Sequence, residues 1–284
     1  MSEQADTRKM RILELLAESG EGSDIEALAE RMRCDTRTIR RDLESLQRLL
    51  QQVQGLEIRR GRATIARAGY SPGYFTNQLE RNLSAKEAIA AAVVSRLQDD
   101  LALALTAGST TYAIAREMRR AVVAGEPPHN LIVFTNSVPS LLELVSGGIA
   151  AGVLGEIYTP EDCALHSPEF HSTFQPGIAI IGASGILFNE AAGTLDLFSH
   201  RAEEAAFHKQ LLADVPEIIL AADNSKLGKR HPWNFGGAVL RGKTVRLVTD
   251  ALTETQREDL NRITPELAKN GVNFEYEEGI GCRV

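Results

Sequence analysis

The chain has 284 residues, 43% of them hydrophobic and 24% charged, with a formal net charge of −7. That length predicts about two domains with a substantial core, and the composition excludes a disordered or fibrous chain. Cys34, Cys163 and Cys282 are odd in number and widely spaced, which excludes a disulfide framework; the polar start Met1–Lys9 carries no signal sequence, and no apolar run nears the ~20 residues that span a bilayer, so a reduced cytoplasmic setting without a membrane partner is expected.

Residues 1–6 are expected to be disordered. A helix is predicted from Thr7 to Glu18, with Met10, Leu13, Leu16 and Ala17 on its inner face. Gly20-Glu21-Gly22 ends it. Ser23 and Glu26 have capping-box spacing and open a second helix whose apolar positions are Ile25, Leu28, Ala29 and Met32. Arg33-Cys34 is a short turn. The third helix follows, with Asp35 as its N-cap and Ile39, Leu43, Leu46 and Leu50 as its apolar stripe. Its other face carries Thr36, Arg37, Thr38, Arg40 and Arg41. Helix, helix, tight turn, helix is the helix-turn-helix plan, with the last helix as the reader. Hydroxyls at a helix start hold phosphates, and an arginine fork can bond two acceptors of one guanine. Leu56 to Ile65 reads as a strand, a turn at Gly61 and a second strand, with Arg59, Arg60 and Arg62 near the turn.

The net negative charge at first opposes a nucleic-acid partner, but its distribution reverses that. Residues 31–67 hold ten arginines and four acidic residues, +6, while the remainder holds 21 basic and 34 acidic residues, −13. A basic patch on an acidic protein is the electrostatic footprint of a polyanion partner. A plain three-helix bundle with solvated arginines is the bland alternative; the short turn and the clustering of charge at one helix start speak against it.

Leu28-Ala29-Glu30-Arg31-Met32 followed by Thr38-Ile39-Arg40-Arg41-Asp42-Leu43 resembles the N-terminal domain of DeoR-family transcriptional regulators. The resemblance implies a winged helix-turn-helix over 1–68 that binds double-stranded DNA through Thr36, Arg37, Thr38, Arg40, Arg41, Arg60 and Arg62. The paired wing glycines of the family are absent here.

Gly69 to Phe75, with Gly and Pro flanking aromatics, breaks the pattern, and 69–83 reads as a linker. Ser84-Ala85-Lys86-Glu87 has capping-box spacing and is predicted to open an Ala-rich helix running to about Gln98. Strands and helices then alternate: a strand at Leu101–Leu105, a helix from Tyr112 to Val123, a strand at Leu131–Phe134 and a helix to about Val145. A weaker strand at Ile149–Leu154 and another at Ile178–Ile181 follow, then a helix from His200 to Leu212 and strands at Ile218–Ala222 and Val245–Val248. A helix from Thr253 to Asn270 and an edge strand at Asn273–Tyr276 close the domain. The expected class is α/β: a small winged helix-turn-helix domain before a larger Rossmann-like, mostly parallel domain over 84–284.

In such a sheet, ligands bind outside the carboxyl ends of the strands. Gly108 lets backbone approach an anion, and Ser109, Thr110 and Thr111 add hydroxyls and N–H groups at a helix start. Thr135, Asn136 and Ser137 follow the next strand, Gly182 another, and Asp223 and Lys226 a fourth. Together with Gly193-Thr194 and the run Ala222 to Gly228, these segments resemble the C-terminal sensor domain of the DeoR family, similar in fold to ribose-5-phosphate isomerase and glucosamine-6-phosphate deaminase. The resemblance covers about residues 80–240. It implies a phosphorylated sugar or related metabolite as effector, with Gly108, Ser109, Thr110, Thr111, Thr135, Asn136, Ser137, Gly182, Asp223 and Lys226 as ligand-binding residues. Thr106 stands where the family often has Asp, and His208 where it often has Lys.

Two readings remain: a DNA-binding regulator, with a repressor expected, and a sugar-phosphate isomerase or deaminase with an accessory DNA-binding domain. The helix-turn-helix favours the regulator, with no catalytic residues and no cofactor. His129, His166, His171, His200, His208 and His231 are scattered, and no metal site is expected. Trp233 reads as a core or lid aromatic. A homo-oligomer, dimer or tetramer, is expected because one reader helix buries too little for specific binding.

Overall fold

The computed structural model describes residues 7–279 except 10, 14, 17–22, 50–55, 60–61, 66–73, 161 and 168–174. The chain forms two compact units: Met1–Gln78 with Gly155–His166, and Leu79–Leu154 with Ser167–Val284.

In the first unit the described residues of 7–16 are helical, α1. Strand β1 (Ser23–Asp24), α2 (Ile25–Arg31), α3 (Thr36–Leu49), β2 (Leu56–Arg59) and β3 (Arg62–Ile65) follow. Ile12, Leu13, Leu16, Leu28, Ile39, Leu43 and Leu46 are all fully buried or nearly so, which closes the three helices on one core. The strands form an antiparallel sheet in the order β1-β3-β2, with Ser23 opposite Ala63 and Arg59 opposite Arg62. Ser23 is therefore a strand residue, and the capping box expected of it does not form. Asp24 takes the cap position of α2, and its side chain makes no cap hydrogen bond to the helix. The positions of Met10, Ala17 and Leu50 lie outside the described residues, as do residues 1–6.

Helix α4 (Tyr74–Glu80) falls in the stretch expected as linker. Helix α5 is Leu83–Val94, shorter than expected, and its cap is Asn82 in the left-handed region at φ +53°, not Ser84. The second unit then alternates β4 (Ala102–Leu105), α6 (Ser109–Ala124), β5 (Ile132–Thr135), α7 (Val138–Ser146) and β6 (Ala150–Val153). Helix α6 starts three residues earlier than the sequence suggested, so Ser109, Thr110 and Thr111 form its first turn. The hairpin β7 (Ile157–Thr159) and β8 (Ala164–His166), which belongs to the first unit, was not expected. Next come β9 (Ile178–Ile181), β10 (Gly185–Asn189), β11 (Thr194–Ser199), α8 (Ala202–Asp214), β12 (Glu217–Ala221), β13 (Trp233–Asn234), β14 (Thr244–Thr249), α9 (Glu254–Lys269) and β15 (Asn273–Glu278). The cap at Thr253 is a capping box, with Gln256 as its return partner.

The main sheet has the order β15-β14-β12-β9-β4-β5-β6, and every pairing in it is parallel. From β4 the chain winds outward through β5 and β6, then returns beside β4 as β9 and winds the other way. The switch point thus lies between β4 and β9. One face is covered by α5, α6 and α7 through Ile89, Val93, Ile114, Met118 and Leu144. The other is covered by α8, α9 and the antiparallel β10-β11-β13 sheet through Phe207, Leu212, Leu260, Leu197 and Phe235.

Candidate functional site

The reader helix is built around its cap. Asp35 Oδ1 accepts from the Thr38 backbone N–H at 2.7 Å, and Asp35 Oδ2 accepts from the Thr38 hydroxyl at 3.0 Å. The backbone bond, then the hydroxyl, hold the Asp35 carboxyl below its usual pKa. The turn before it closes with Cys34 N–H on Ala29 O at 3.1 Å and Arg33 in the left-handed region at φ +50°. Buried Asp42 faces back and pairs with Arg8 Nε at 2.5 Å, tying α3 to α1. Ile39 and Leu43 point into the core, so Thr36, Arg37, Arg40 and Arg41 are left exposed on the outer face. Thr38 is half-buried and its hydroxyl serves the cap. No ion pair among the described residues engages Arg37, Arg40 or Arg41. Position 60 lies outside the described residues; Arg62 lies on β3 opposite Arg59. Burial pushes the Cys34 thiol up, which suits packing better than reactivity.

In the second unit, the loops after β12, β9, β4 and β5 lie side by side at the carboxyl edge of four neighbouring parallel strands. Strands about 4.8 Å apart spread that row over roughly 14 Å. Gly108 caps α6 at φ +148° with no side-chain cap bond, and a Cβ there would sit 3.2 Å from Thr111 Oγ1. Thr111 is buried and its hydroxyl donates to Gly108 O at 3.0 Å. Ser109 and Thr110 are half-buried, and no hydrogen bond of their hydroxyls exists among the described residues. Gly182 is open: nothing lies within 4 Å of where its Cβ would be.

The β5 loop is structural scaffolding for this row. Asn136 Oδ1 accepts from the Ala107 N–H at 2.7 Å, which fixes the turn into Gly108. Thr135 Oγ1 accepts from the Ser137 N–H at 3.0 Å, and Ser137 caps α7 by accepting from Ser140 N–H at 3.2 Å. All three are 1% exposed. Asp223 is buried as well. Its Oδ1 accepts from Ser225 N–H at 3.1 Å and Asn82 Nδ2 at 3.3 Å, and Lys226 Nζ lies 4.0 Å from Oδ2.

Sequence reasoning missed Lys86. It is 4% exposed and donates to Arg81 O. Burial holds its pKa below the usual value; Asp223 opposes that and Lys226 adds to it. Its signal was present, because Lys86 shares a helical stripe with Ala90 and Val93. Thr106, at the switch point, is fully buried, and its hydroxyl has no hydrogen-bond partner among the described residues. His208 packs in the core with its ring 4.5 Å from Phe235. His200 and His231, distant in sequence, meet with ring centroids 3.9 Å apart. Among the described residues no three metal-ligating side chains gather, and no helix is long and apolar enough to cross a membrane.

A winged helix-turn-helix with outward arginines, carried on the same chain as an α/β unit with a polar ligand-type edge, defines a DNA-binding regulator with a sensor domain. Comparison with known proteins agrees. Residues 81–251 match the DeoR C-terminal sensor domain, and residues 8–70 match a helix-turn-helix domain. The chain belongs to the DeoR family of transcriptional regulators. It is 25% identical over 232 residues to the HTH-type transcriptional regulator GlpR of Haloferax volcanii, covering 80% of this chain and 84% of that one. It is 28% identical over 225 residues to the L-fucose operon activator of Escherichia coli, covering 74% and 82%. A ribose 5-phosphate isomerase from Plasmodium falciparum is similar at a TM-score of 0.38 and 19% identity, over 50% of this chain and 52% of that one.

Proposed function

We propose that this regulator is a repressor whose grip on a double-stranded DNA operator is set by a phosphorylated sugar or related metabolite. In this reading residues 1–68 are the DNA-binding module, 69–83 the connection and 84–284 the sensor. Thr36, Arg37, Arg40 and Arg41 read the major groove, while Thr38 orders the cap and Arg60 and Arg62 reach phosphates from the wing. The effector lies along the row from Gly108 to Lys226. Gly108, Ser109, Thr110 and Gly182 contact it, and Lys226 supplies charge. Thr111, Thr135, Asn136, Ser137 and Asp223 hold those groups in place.

The single observation that carries the reading is the uncapped start of α6. Its N–H groups and the Ser109 and Thr110 hydroxyls stand beside the switch point, in one row with a lysine. Ligand turnover is not part of the reading: Asp223, the carboxylate named in that row, is buried and engaged by Ser225, Asn82 and Lys226. Paired half-sites call for a homo-oligomer, dimer or tetramer. A repressor needs only to occupy its operator, whereas an activator needs a further surface; one relative bears the name of an activator, so a reporter fusion is the arbiter of sign.

The test is a thermal-shift screen of sugar phosphates against their parent sugars. The phosphates are expected to stabilise the chain, and Ser109→Ala and Lys226→Ala to remove that response. A preference for the parent sugars, or a phosphate response that survives Lys226→Ala, would overturn the site. Conversion of a hit compound would move the protein to the enzyme class.

A further inference from the structure

Two imidazoles meet at one corner of the sensor unit, within the electrostatic reach of an ammonium. His200 directly follows β11, Lys226 ends the 3-10 turn Asn224–Lys226 after β12, and His231 lies in the loop leading to β13. The two rings meet edge-on, at 3.9 Å and 60°. A Cβ on Gly185 would come within 3.1 Å of His231 Cδ2, so the corner adjoins the turn 182–184 that follows β9. It therefore continues the same row of loops that the effector reading uses.

The charges around this corner are mostly positive. From the β11–α8 side come His200, Arg201 and Glu204, the last already accepting from Ser199 Oγ. From the turn come Lys226 and Asp223, 4.0 Å apart, with Lys86 behind them. From the loop come His231 and the exposed Lys229 and Arg230. Among the described residues no carboxylate pairs with either imidazole. His200 is largely exposed; what burial it has, then His231 and Lys226, hold it below its usual pKa, and no acidic group among the described residues opposes them. Two imidazolium rings this close would repel each other, which disfavours the charged form of His200 in the unliganded protein. A dianion placed between the rings and Lys226 removes that penalty.

We propose that His200, His231 and Lys226 form a binding corner for a dianionic group, such as the phosphate of the effector, and that this corner takes up a proton as it binds. The idea deepens the effector reading and rests on it for the identity of the ligand. The sign follows from linkage. The His200 pKa is depressed in the free protein and raised in the complex, so affinity is greatest below the free value. It falls by up to about tenfold per pH unit between the free and bound values, and is flat above the bound one.

Sulfate is the probe, because it stays dianionic across this range and adds no titration of its own. Calorimetric titration of the full chain, in buffers of differing ionisation enthalpy, counts the protons. Uptake of about one proton per sulfate near pH 6–7 is expected, absent in His200→Gln and His231→Gln. Independently of any substitution, the NMR titration of the His200 imidazole should shift to higher pH when sulfate is added. Sulfate binding without proton uptake, uptake that persists in both variants, or no sulfate binding at any pH would each overturn the corner. Ser109→Ala separates the two readings. If it abolishes sugar-phosphate binding while the histidine variants change nothing, the effector edge stands and the corner falls. If proton uptake is lost in the histidine variants while Ser109→Ala is silent toward sugar phosphates, the corner stands and the edge reading falls.

Discussion

Two helix starts in this chain treat negative charge in opposite ways. Helix α3 is closed by its own Asp35, whose carboxylate takes the Thr38 N–H and hydroxyl. That cap takes up the Thr38 groups of the first turn, and on the proposed function the helix meets a polyanion with its exposed arginine side chains. Helix α6 begins at Gly108 with no side-chain cap, and on the proposed function its first-turn N–H groups and two hydroxyls take the ligand. On the proposed function, the contrast teaches how one protein can meet two anions of different size. Mobile cations on a rigid helix suit a long phosphate lattice, where binding is strong and salt-dependent. Fixed N–H groups suit one compact anion, where geometry selects.

The largest expected effect tests the side-chain half of the comparison. Arg40→Ala and Arg41→Ala should each weaken operator binding by about 1–3 kcal/mol if the fork contacts a guanine, with specificity relaxed at that base pair. A contact to phosphate alone would instead weaken all sequences alike and flatten the salt slope, and unchanged binding in the double variant would remove this face from the interface. Next comes the scaffold of the sensor edge. Asp223→Ala removes the acceptor of Ser225 and Asn82 and the carboxylate beside two lysines. Chemical denaturation should show a loss of about 1–3 kcal/mol, together with loss of the phosphate response. Gly108→Ala is smaller. A side chain at φ +148°, 3.2 Å from Thr111 Oγ1, should cost about 1–2 kcal/mol and blunt the ligand-induced rise in Tm. The smallest effect is the Asp35 cap. Its carboxyl is depressed below the ordinary 3.8, so the stability it adds is present above that value and is lost as pH falls through the depressed one. Asp35→Asn should remove this acid dependence while keeping the helix, measured by circular dichroism on acidification.

The helix-turn-helix was legible because its apolar residues recur at helical spacing and its cap is an aspartate, both local signals. The parallel strands were legible as short apolar runs between polar loops. Cap spacing misled twice: Ser23 pairs in a strand with Ala63, and Asn82 takes the cap that Ser84 seemed built for. In both cases tertiary pairing outweighed a local pattern. The hairpin of β10 and β11 was missed although Leu195, Asp196 and Leu197 alternate, because the run is short and sits beside a helix-like segment. At the candidate site, the sequence marked loops that the fold brings to one sheet edge, but not the division of labour within them. That Asn136 turns inward to hold Ala107 while Ser109 stays free is set by contacts 29 residues apart. The meeting of His200 and His231 likewise depends on how the loop after β12 folds back, which no local pattern encodes.

The most direct test of the account is an anisotropy titration of an operator selected from genomic DNA, with and without the sugar phosphate that gives the largest thermal shift. Binding at the sheet edge must act through different affinities for two states of the protein. The account predicts a ligand-dependent change in operator Kd of about 5–150-fold, as for typical allosteric coupling, and no change in Lys226→Ala. An equal change in Lys226→Ala, or an unchanged Kd in the intact protein with the ligand demonstrably bound, would contradict it.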